Sequence, residues 1–264
     1  GTNWHIHVLL DTVHLKIEVY MRSTTLTSAL MLVLTGSAWA ADEAAEKIRQ
    51  QLNHVDSRLQ VQSVQPAPMA GLYEVVLSSG ETLYADGEGT HLLAGQLYRV
   101  DAEQGLVNLT EQKRNEARRL AMAGVDEADM VVYKPAGDVK ATVNVFTDVD
   151  CPYCRKLHDE VPALNRMGIQ VNYLAFPRGG PQSKTFARME SIWCGDAEER
   201  RERMDDVKGG DSIKQESCDN PVLAQYELGQ KVGVTGTPAL VLEDGSLLPG
   251  YVPAARLQQI LGLN

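Results

Sequence analysis

The sequence Val143-Asn144-Val145-Phe146-Thr147-Asp148-Val149-Asp150-Cys151-Pro152-Tyr153-Cys154 decides the fold of its part of the chain. It starts within an apolar run from Ala141 to Phe146, which is typical of a strand, and ends in two cysteines three positions apart. The pattern from Cys154 to Met167 predicts a helix. The cysteine pair therefore lies between a strand and a helix, with Cys151 at the helix tip.

This position favours a reactive thiolate at Cys151. A first helical turn offers unpaired N–H groups and the positive end of the helix dipole, and the thiolate is the nucleophile in disulfide exchange. The dipole supplies up to ~2 kcal/mol, which at ~1.4 kcal/mol per pKa unit lowers the pKa of a thiol by about 1.5 units. The lowest pKa values seen for such motifs require a lowering of several units. Direct hydrogen bonds from backbone N–H groups to the sulfur are expected to supply the remainder. Pro152 suits this turn because its missing N–H costs nothing there.

By itself, a C-x-x-C motif is also compatible with half of a zinc site or with a structural cysteine pair. Zinc needs two more ligands, usually another close pair. The remaining cysteines, Cys194 and Cys218, lie far apart, and His158 is the nearest histidine. We therefore predict a redox dithiol with neither a metal nor another cofactor, and we expect His158 to lie on the helix surface.

Two other features bear on the site. Thr237-Pro238 follows a glycine and precedes a predicted strand, so its peptide bond is a candidate for cis, although an ordinary trans proline fits equally well. A cis loop beside the dithiol would leave the Thr237 backbone free to pair with an extended substrate segment. Cys194 and Cys218 are natural candidates for a structural disulfide in an exported protein, with two free thiols as the alternative.

The chain around these motifs divides into two parts. Strand–helix alternation with a helical insert, a terminal hairpin and a closing helix predicts an α/β domain over residues 128–264. Residues 41–105 predict a small α+β unit with a helix and about four strands, and hairpins are expected at 72–77/82–84 and at 91–93/96–100. Residues 106–127 are expected to form a helical linker.

The linker contains a charged helix from Thr110, as its N-cap, to Ala123. Its apolar stripe is limited to Ala117, Leu120 and Ala121. A mostly polar helix is usually solvated on most sides, so we interpret it as a connector.

The N-terminus is typical of an exported protein. Met21-Arg22, an apolar run from Leu26 to Leu34 and then Ala38-Trp39-Ala40 predict a signal peptide over residues 21–40, cleaved after Ala40, with a buried helix as the alternative. Residues 1–20 precede the expected start and are interpreted as a non-native upstream extension. Export would place the chain where disulfides persist.

Composition excludes several other classes. The 264 residues are 44% hydrophobic and 23% charged, as in one or two globular domains. The net charge of −10 should repel phosphate backbones, so we expect no nucleic-acid partner.

The segment from Phe146 to His158 resembles the active-site segment of the DsbC family of periplasmic disulfide isomerases. Matching stretches elsewhere are Gln65 to Gly71, Tyr173 to Arg178, Ile192 to Cys194, Gly236 to Ala239 and Pro249 to Tyr251. The resemblance implies a C-terminal thioredoxin-like catalytic domain with a helical insert, a helical linker, and a cystatin-like N-terminal domain that dimerises into a V with the dithiols facing a cleft.

The resemblance also implies roles for single residues. Cys151 would attack, Cys154 would resolve, Thr237 and Pro238 would form a cis loop that contacts substrate, and Cys194–Cys218 would be a structural disulfide. The membrane reductase DsbD would keep the dithiol reduced. The expected function is rearrangement of non-native disulfides in exported proteins by a periplasmic homodimer.

The sequence departs from this pattern in two features, the dipeptide between the cysteines and the residue at position 145. Pro152-Tyr153 is the dipeptide of the sister isomerase and chaperone DsbG and of glutaredoxins, and this dipeptide tunes thiol pKa and reduction potential. Val145 occupies the place where thioredoxins carry a buried acid, so Cys154 needs water or another group to take its proton. A DsbG-like chaperone or thiol reductase and a monomeric oxidase therefore stay open as alternatives.

Overall fold

The computed structural model describes residues 41–263, which form two compact units divided between Gly95 and Gln96. The predicted upstream extension, the signal peptide and its cleavage after Ala40 lie outside these residues. Each unit has its own apolar core.

The first unit packs one helix on an antiparallel sheet. Helix α1 spans 41–55 and buries Ile48 and Leu52 against Val75 and Leu77 of the sheet, which explains the helical spacing of its apolar residues. The strands pair in chain order and are β1 (Val61–Pro66), β2 (Leu72–Leu77), β3 (Thr82–Asp86) and β4 (Leu92–Ala94). The predicted hairpin at 72–77/82–84 is confirmed.

The second predicted hairpin, 91–93/96–100, is wrong. Strand β4 pairs with β3, whereas β5 (Tyr98–Asp101) pairs with β6 (Gly105–Asn108) in a separate two-stranded sheet. The physical reason is a turn closed by Asp101, whose carboxylate accepts hydrogen bonds from the N–H groups of Glu103 and Gln104.

The second unit is built on a mixed five-stranded sheet in the order β11-β10-β8-β9-β7. Neighbours β8 and β9 are parallel, and every other pair is antiparallel. The strands are β7 (Val131–Tyr133), β8 (Ala141–Thr147), β9 (Ile169–Ala175), β10 (Ala239–Leu242) and β11 (Leu247–Pro249). The helices are α2 (Leu109–Ala123), α3 (Pro152–Asp159), α4 (Val161–Arg166), α5 (Lys184–Trp193), α6 (Ala197–Gly209), α7 (Val222–Lys231) and α8 (Ala254–Ile260).

Both faces of this sheet are buried. Val145 and Tyr173 belong to one apolar cluster, whereas their neighbours Phe146 and Leu174 belong to another, as alternation along a strand requires. All seven residues of β9 are buried. Helices therefore cover the sheet on two sides in a three-layer arrangement, which confirms the predicted α/β class of this domain.

The helix predicted from Cys154 to Met167 is two helices. It starts earlier, at Pro152, and breaks at Glu160 between α3 and α4. The break follows from Pro162, which has no N–H for the helical ladder and whose ring would clash with the carbonyl one turn earlier. The early start makes Cys151 the N-cap residue.

Fewer than half of the residues of helix α2 are exposed, and its buried face is not the predicted stripe. Leu120 is 59% exposed, whereas Arg118 and Met122 are buried. The Arg118 guanidinium donates to the carbonyl of Val232 at 2.9 Å, and this hydrogen bond offsets the cost of burying the charged side chain. Apolar periodicity could not predict a buried arginine. The N-cap is Asn108 rather than Thr110.

Gly245, in the turn between β10 and β11, approaches α2 so closely that a side chain would not fit. Its φ is +83°, and a Cβ there would lie 1.9 Å from the carbonyl oxygen of Asn115. We expect Gly245→Ala to lower the free energy of unfolding by roughly 2–5 kcal/mol in urea denaturation, from overpacking plus an unfavourable φ. Gly250→Ala is the matched control, because Gly250 has the same φ but no atom within 4 Å. Equal losses in the two variants would contradict this account.

Candidate active site

The two unpaired cysteines lie together where α3 begins. Cys151 is the N-cap residue and Cys154 is in the first turn, so strand β8 delivers the pair to the carboxyl edge of the sheet. Both are free thiols; Cys151 is 2% exposed and Cys154 is fully buried. Tyr153, between them, is 62% exposed, so the pair lies directly beneath the surface.

A buried carboxylate holds the turn that precedes Cys151. The side chain of Asp148 accepts from the N–H of Asp150 at 2.7 Å, and from the N–H and Nε of Arg178 at 2.9 and 3.0 Å. Asp150 in turn accepts from Thr185 and Arg188. These bonds connect the turn after β8 to the segment after β9 and to α5, which fixes the position of Cys151.

Thr237 and Pro238 lie beside the dithiol, although they are far from it in sequence. Their peptide bond is cis. The Cys151 thiol donates to the Thr237 carbonyl at 3.3 Å. Strand β10, which follows at once, pairs Ala239 with Phe146 of β8 and so holds this loop next to the cysteines.

The hydroxyl of Thr237 is buried and has no hydrogen-bond partner among residues 41–263. It lies close enough to both sulfurs to lower the pKa of each by hydrogen bonding to the thiolate. A thiolate is thus the acceptor that this hydroxyl lacks, and forming one removes the cost of an unsatisfied buried donor.

The two thiols differ in acidity. Burial raises the pKa of Cys151, but hydrogen bonds from the Thr237 side chain and from the N–H groups of Cys154 and Tyr153 outweigh it, so its pKa lies below the usual value. For Cys154 burial dominates over the nearby Lys208 ammonium, and the pKa lies above the usual value. The pair therefore carries its negative charge on Cys151.

Cys194 and Cys218 form a disulfide with a Cα–Cα distance of 5.7 Å. It joins the end of α5 to the segment before α7, and it is separate from the free pair. The chain-entropy contribution of closing such a loop is about 3 kcal/mol.

His158 is not on the helix surface, which corrects the expectation from sequence. Its side chain is 13% exposed; Nδ1 lies 3.2 Å from the Tyr173 hydroxyl and Nε2 lies 3.0 Å from an oxygen of Asp205. The reason is that α6, which carries Asp205, packs over α3 at this position.

Sequence reasoning missed four side chains around the thiols: Thr147, Asp148, Arg178 and Lys208. Asp148 directly follows β8, and the oppositely charged Arg178 is the third residue after the neighbouring parallel strand β9. The sequence pattern could therefore have predicted their contact. Lys208 was not accessible, because α6 shows no apolar periodicity that would place one face against the sheet.

Within the described part of the chain, no group of three or more His, Cys, Asp or Glu side chains is placed to hold a metal ion. Over the same residues, no helix combines the length and apolar character needed to cross a membrane.

The mixed sheet, its helices and the two free thiols at the start of α3 define a thiol–disulfide oxidoreductase with a thioredoxin-like domain. Residues 127–263 match the thioredoxin-like domain family, and residues 37–111 match the N-terminal domain of disulfide bond isomerase proteins. The predicted fold class is confirmed by both matches.

Known relatives identify the family. The chain is 36% identical over 241 residues to the thiol:disulfide interchange protein DsbC of Escherichia coli K12, covering 91% of this chain and 96% of that protein. It is 41% identical to DsbC of Salmonella typhimurium, with 84% and 87% covered, and 40% identical to DsbC of Dickeya dadantii, with 91% and 94% covered. The chain belongs to the DsbC family of thiol:disulfide interchange proteins, as the resemblance predicted.

The Thr237 hydroxyl gives a direct prediction for thiol reactivity. We expect Thr237→Val to raise the pH at half-maximal alkylation of Cys151 by about 1 unit, because a hydrogen bond to a charged sulfur, worth ~1.4 kcal/mol or more, is lost. The measurement is iodoacetamide labelling across a pH series, with the labelled peptide assigned by mass spectrometry.

The matched control is Thr235→Val, which changes an exposed threonine in the same loop and should leave the profile unaltered. A Thr237→Val profile that overlays the wild type would show that this hydroxyl does not stabilise the thiolate.

Proposed function

We propose that this protein rearranges non-native disulfides in exported proteins, with Cys151 as nucleophile and Cys154 as resolving thiol. The observation that carries the proposal is the asymmetry of the pair: Cys151 has a lowered pKa beside Thr237, whereas the pKa of the fully buried Cys154 is raised. Membership of the DsbC family supports the same assignment.

The chemistry begins with attack of the Cys151 thiolate on a substrate disulfide. A bond forms between its Sγ and one substrate sulfur, the substrate S–S bond breaks, and the other substrate sulfur leaves as a thiolate. That thiolate attacks a second substrate disulfide, and the substrate finally displaces Cys151. No net oxidation or reduction occurs on this route.

The alternative route ends in reduction. The Cys154 thiolate attacks Cys151 Sγ, the Cys151–Cys154 disulfide forms, and the substrate leaves as a thiolate. Because the pKa of Cys154 is raised, its thiolate is scarce at neutral pH, and the mixed disulfide persists long enough for the substrate to rearrange. The weak acidity of the Cys154 thiol thus favours isomerisation over reduction.

Thr237 and Pro238 are proposed to bind the substrate. The Thr237 carbonyl is 3.3 Å from Cys151 Sγ, so an extended segment that pairs with this loop would present its disulfide to the nucleophile. The exposed ring of Tyr153 adds an apolar contact on the same surface.

The first unit is proposed to form a homodimer. Strand β4 is an edge of its sheet, and Leu92 and Leu93 on it are 46% and 54% exposed. An edge strand with exposed apolar side chains is suited to pairing with a second copy. We assign dimerisation to residues 41–105, the connector to 106–127 and catalysis to 128–264.

The cellular setting follows from the family and from residues 21–40. We place the mature protein in the periplasm after cleavage at Ala40, and we propose a membrane reductase of the DsbD type as the donor that keeps the dithiol reduced. Export to an oxidising compartment supports Cys194–Cys218 as a structural disulfide.

One observation favours a second candidate function. Pro152-Tyr153, the dipeptide of DsbG, separates the cysteines, and its tyrosine is 62% exposed. A DsbG-like chaperone or thiol reductase would use this surface to hold unfolded chains, with isomerisation secondary.

Replacement of each thiol separates the candidates. We expect Cys151→Ala to reduce the recovery of scrambled ribonuclease to the uncatalysed rate, because the attacking sulfur is gone. Cys154→Ala should keep part of this activity and accumulate mixed disulfides, which gel electrophoresis after thiol blocking detects. Full recovery with Cys151→Ala would contradict the enzyme proposal, and unchanged suppression of aggregation by that variant would favour the chaperone.

The dimer is tested by mass. We expect light scattering to give twice the chain mass for the wild type and the single chain mass for Leu93→Lys, since a charge on β4 blocks edge pairing. Val55→Lys is the control, because Val55 is an exposed apolar residue of the same unit that lies on α1. A monomeric wild type would reject the dimer and support an oxidase.

A further inference from the structure

Lys208 is a buried cation next to the dithiol. It is 5% exposed, although it belongs to the highly charged helix α6. Its Nζ donates to the Thr147 hydroxyl at 2.9 Å and lies 5.1 Å from the centre of the Tyr173 ring. Burying an ammonium is costly unless an opposite charge or a proton transfer compensates it.

Thr147 connects this lysine to the resolving thiol. It is the last residue of β8 and is fully buried, and its side chain lies close enough to the Cys154 sulfur to lower the pKa of that thiol by hydrogen bonding to the thiolate. Cys154, Thr147 and Lys208 therefore form a short chain of exchangeable protons.

The strand offers no carboxylate for this task. Val145, at the position where thioredoxins carry a buried acid, lies in the apolar cluster at 1% exposure. Cys154 is fully buried, so bulk water does not reach its proton directly.

We propose that Lys208 is the positioning residue of the resolving step, and that its amine takes the Cys154 proton through the Thr147 hydroxyl. The inference rests on the proposed function, in which Cys154 attacks the mixed disulfide. It adds the group that makes Cys154 able to attack.

The accepting form of Lys208 is the neutral amine. Cys154 gives its proton to the Thr147 oxygen while the Thr147 proton moves to this amine, which leaves a thiolate and an ammonium. The ammonium is the form that donates to the Thr147 hydroxyl in the structure. The thiolate attacks Cys151 Sγ, the bond between the two cysteine sulfurs forms, and the bond from Cys151 to the substrate sulfur breaks. The substrate sulfur leaves as a thiolate; the cysteines are oxidised and the substrate disulfide has been reduced.

The charges around Lys208 suit proton exchange near neutrality. Burial lowers its pKa to about 8, against the opposing effect of the Cys154 thiolate. A pKa near 8 leaves part of the Lys208 population as the neutral amine at neutral pH, and this is the form that can accept a proton. The titratable and charged groups that act on Lys208 come from three elements. They are Cys154, Cys151 and Arg155 around the start of α3, Asp148 in the turn before it, and Tyr173 on β9.

The test follows single-turnover release of glutathione from Cys151. The reduced protein is first converted to its mixed disulfide with glutathione. The rate of glutathione release is then measured from about pH 6 to about pH 9, a range that brackets the usual pKa of a thiol. We expect Lys208→Met to slow release roughly 10- to 100-fold near neutral pH, and the difference to shrink as rising pH deprotonates Cys154 without help.

Thr147 supplies a second pair of variants. Thr147→Val keeps the shape but removes the hydroxyl and should reproduce the slow, pH-dependent profile, whereas Thr147→Ser should restore the wild-type profile. Lys156→Met is the control for loss of one positive charge, because Lys156 is an exposed lysine of α3. If Lys208→Met does not fold, the two Thr147 variants decide the question.

Each outcome bears on one proposal. A wild-type rate and pH profile in Lys208→Met or in Thr147→Val would overturn the role of Lys208. Slow release with an unchanged pH profile would also overturn it, since a packing defect has no such pH dependence. If Cys154→Ala released glutathione as fast as the wild type, the resolving role of Cys154 in the proposed function would fail instead.

Discussion

The start of α3 must hold two sulfurs in a buried site that tolerates one negative charge. Hydrogen bonds from the first turn and from Thr237 favour that charge on Cys151, while complete burial keeps Cys154 protonated. A charge on both sulfurs would leave one of them buried without compensation. In the proposed function, this division assigns attack to Cys151 and delays Cys154.

The fold produces this site by bringing strand ends together. Parallel strands β8 and β9 end at the same edge, so Asp148 and Arg178 meet there and fix the turn before Cys151. Antiparallel β10 places Thr237 on the other side of the same edge. Helix α6 then adds Lys208 from the insert. The sheet therefore sets the geometry of the site. The proposed dimerisation of the first unit would place two such sites in one molecule.

Local signals were sufficient for the parts of the structure that depend on neighbouring residues. The β2–β3 hairpin, the strand before the cysteines and the presence of a helix after them follow from spacing and turn residues, although the break of that helix at Glu160 was missed. Long-range packing was not accessible in this way. The β5–β6 pairing depended on a turn at Asp101 that the apolar pattern did not reveal, and the burial of Arg118, His158 and Lys208 depended on which helices pack over them. Polar residues that become buried do not contribute to the apolar periodicity of a helix or strand, so the pattern does not predict their burial. Lys208, near the thiols, is such a residue.

The most direct test is an NMR titration of the reduced protein with carbon-13 at both cysteine Cβ positions of the free pair. The account predicts two separate transitions, with Cys151 below the value of free cysteine, about 8.5, and Cys154 above it. Coincident transitions near 8.5, or a lower pKa for Cys154 than for Cys151, would contradict it.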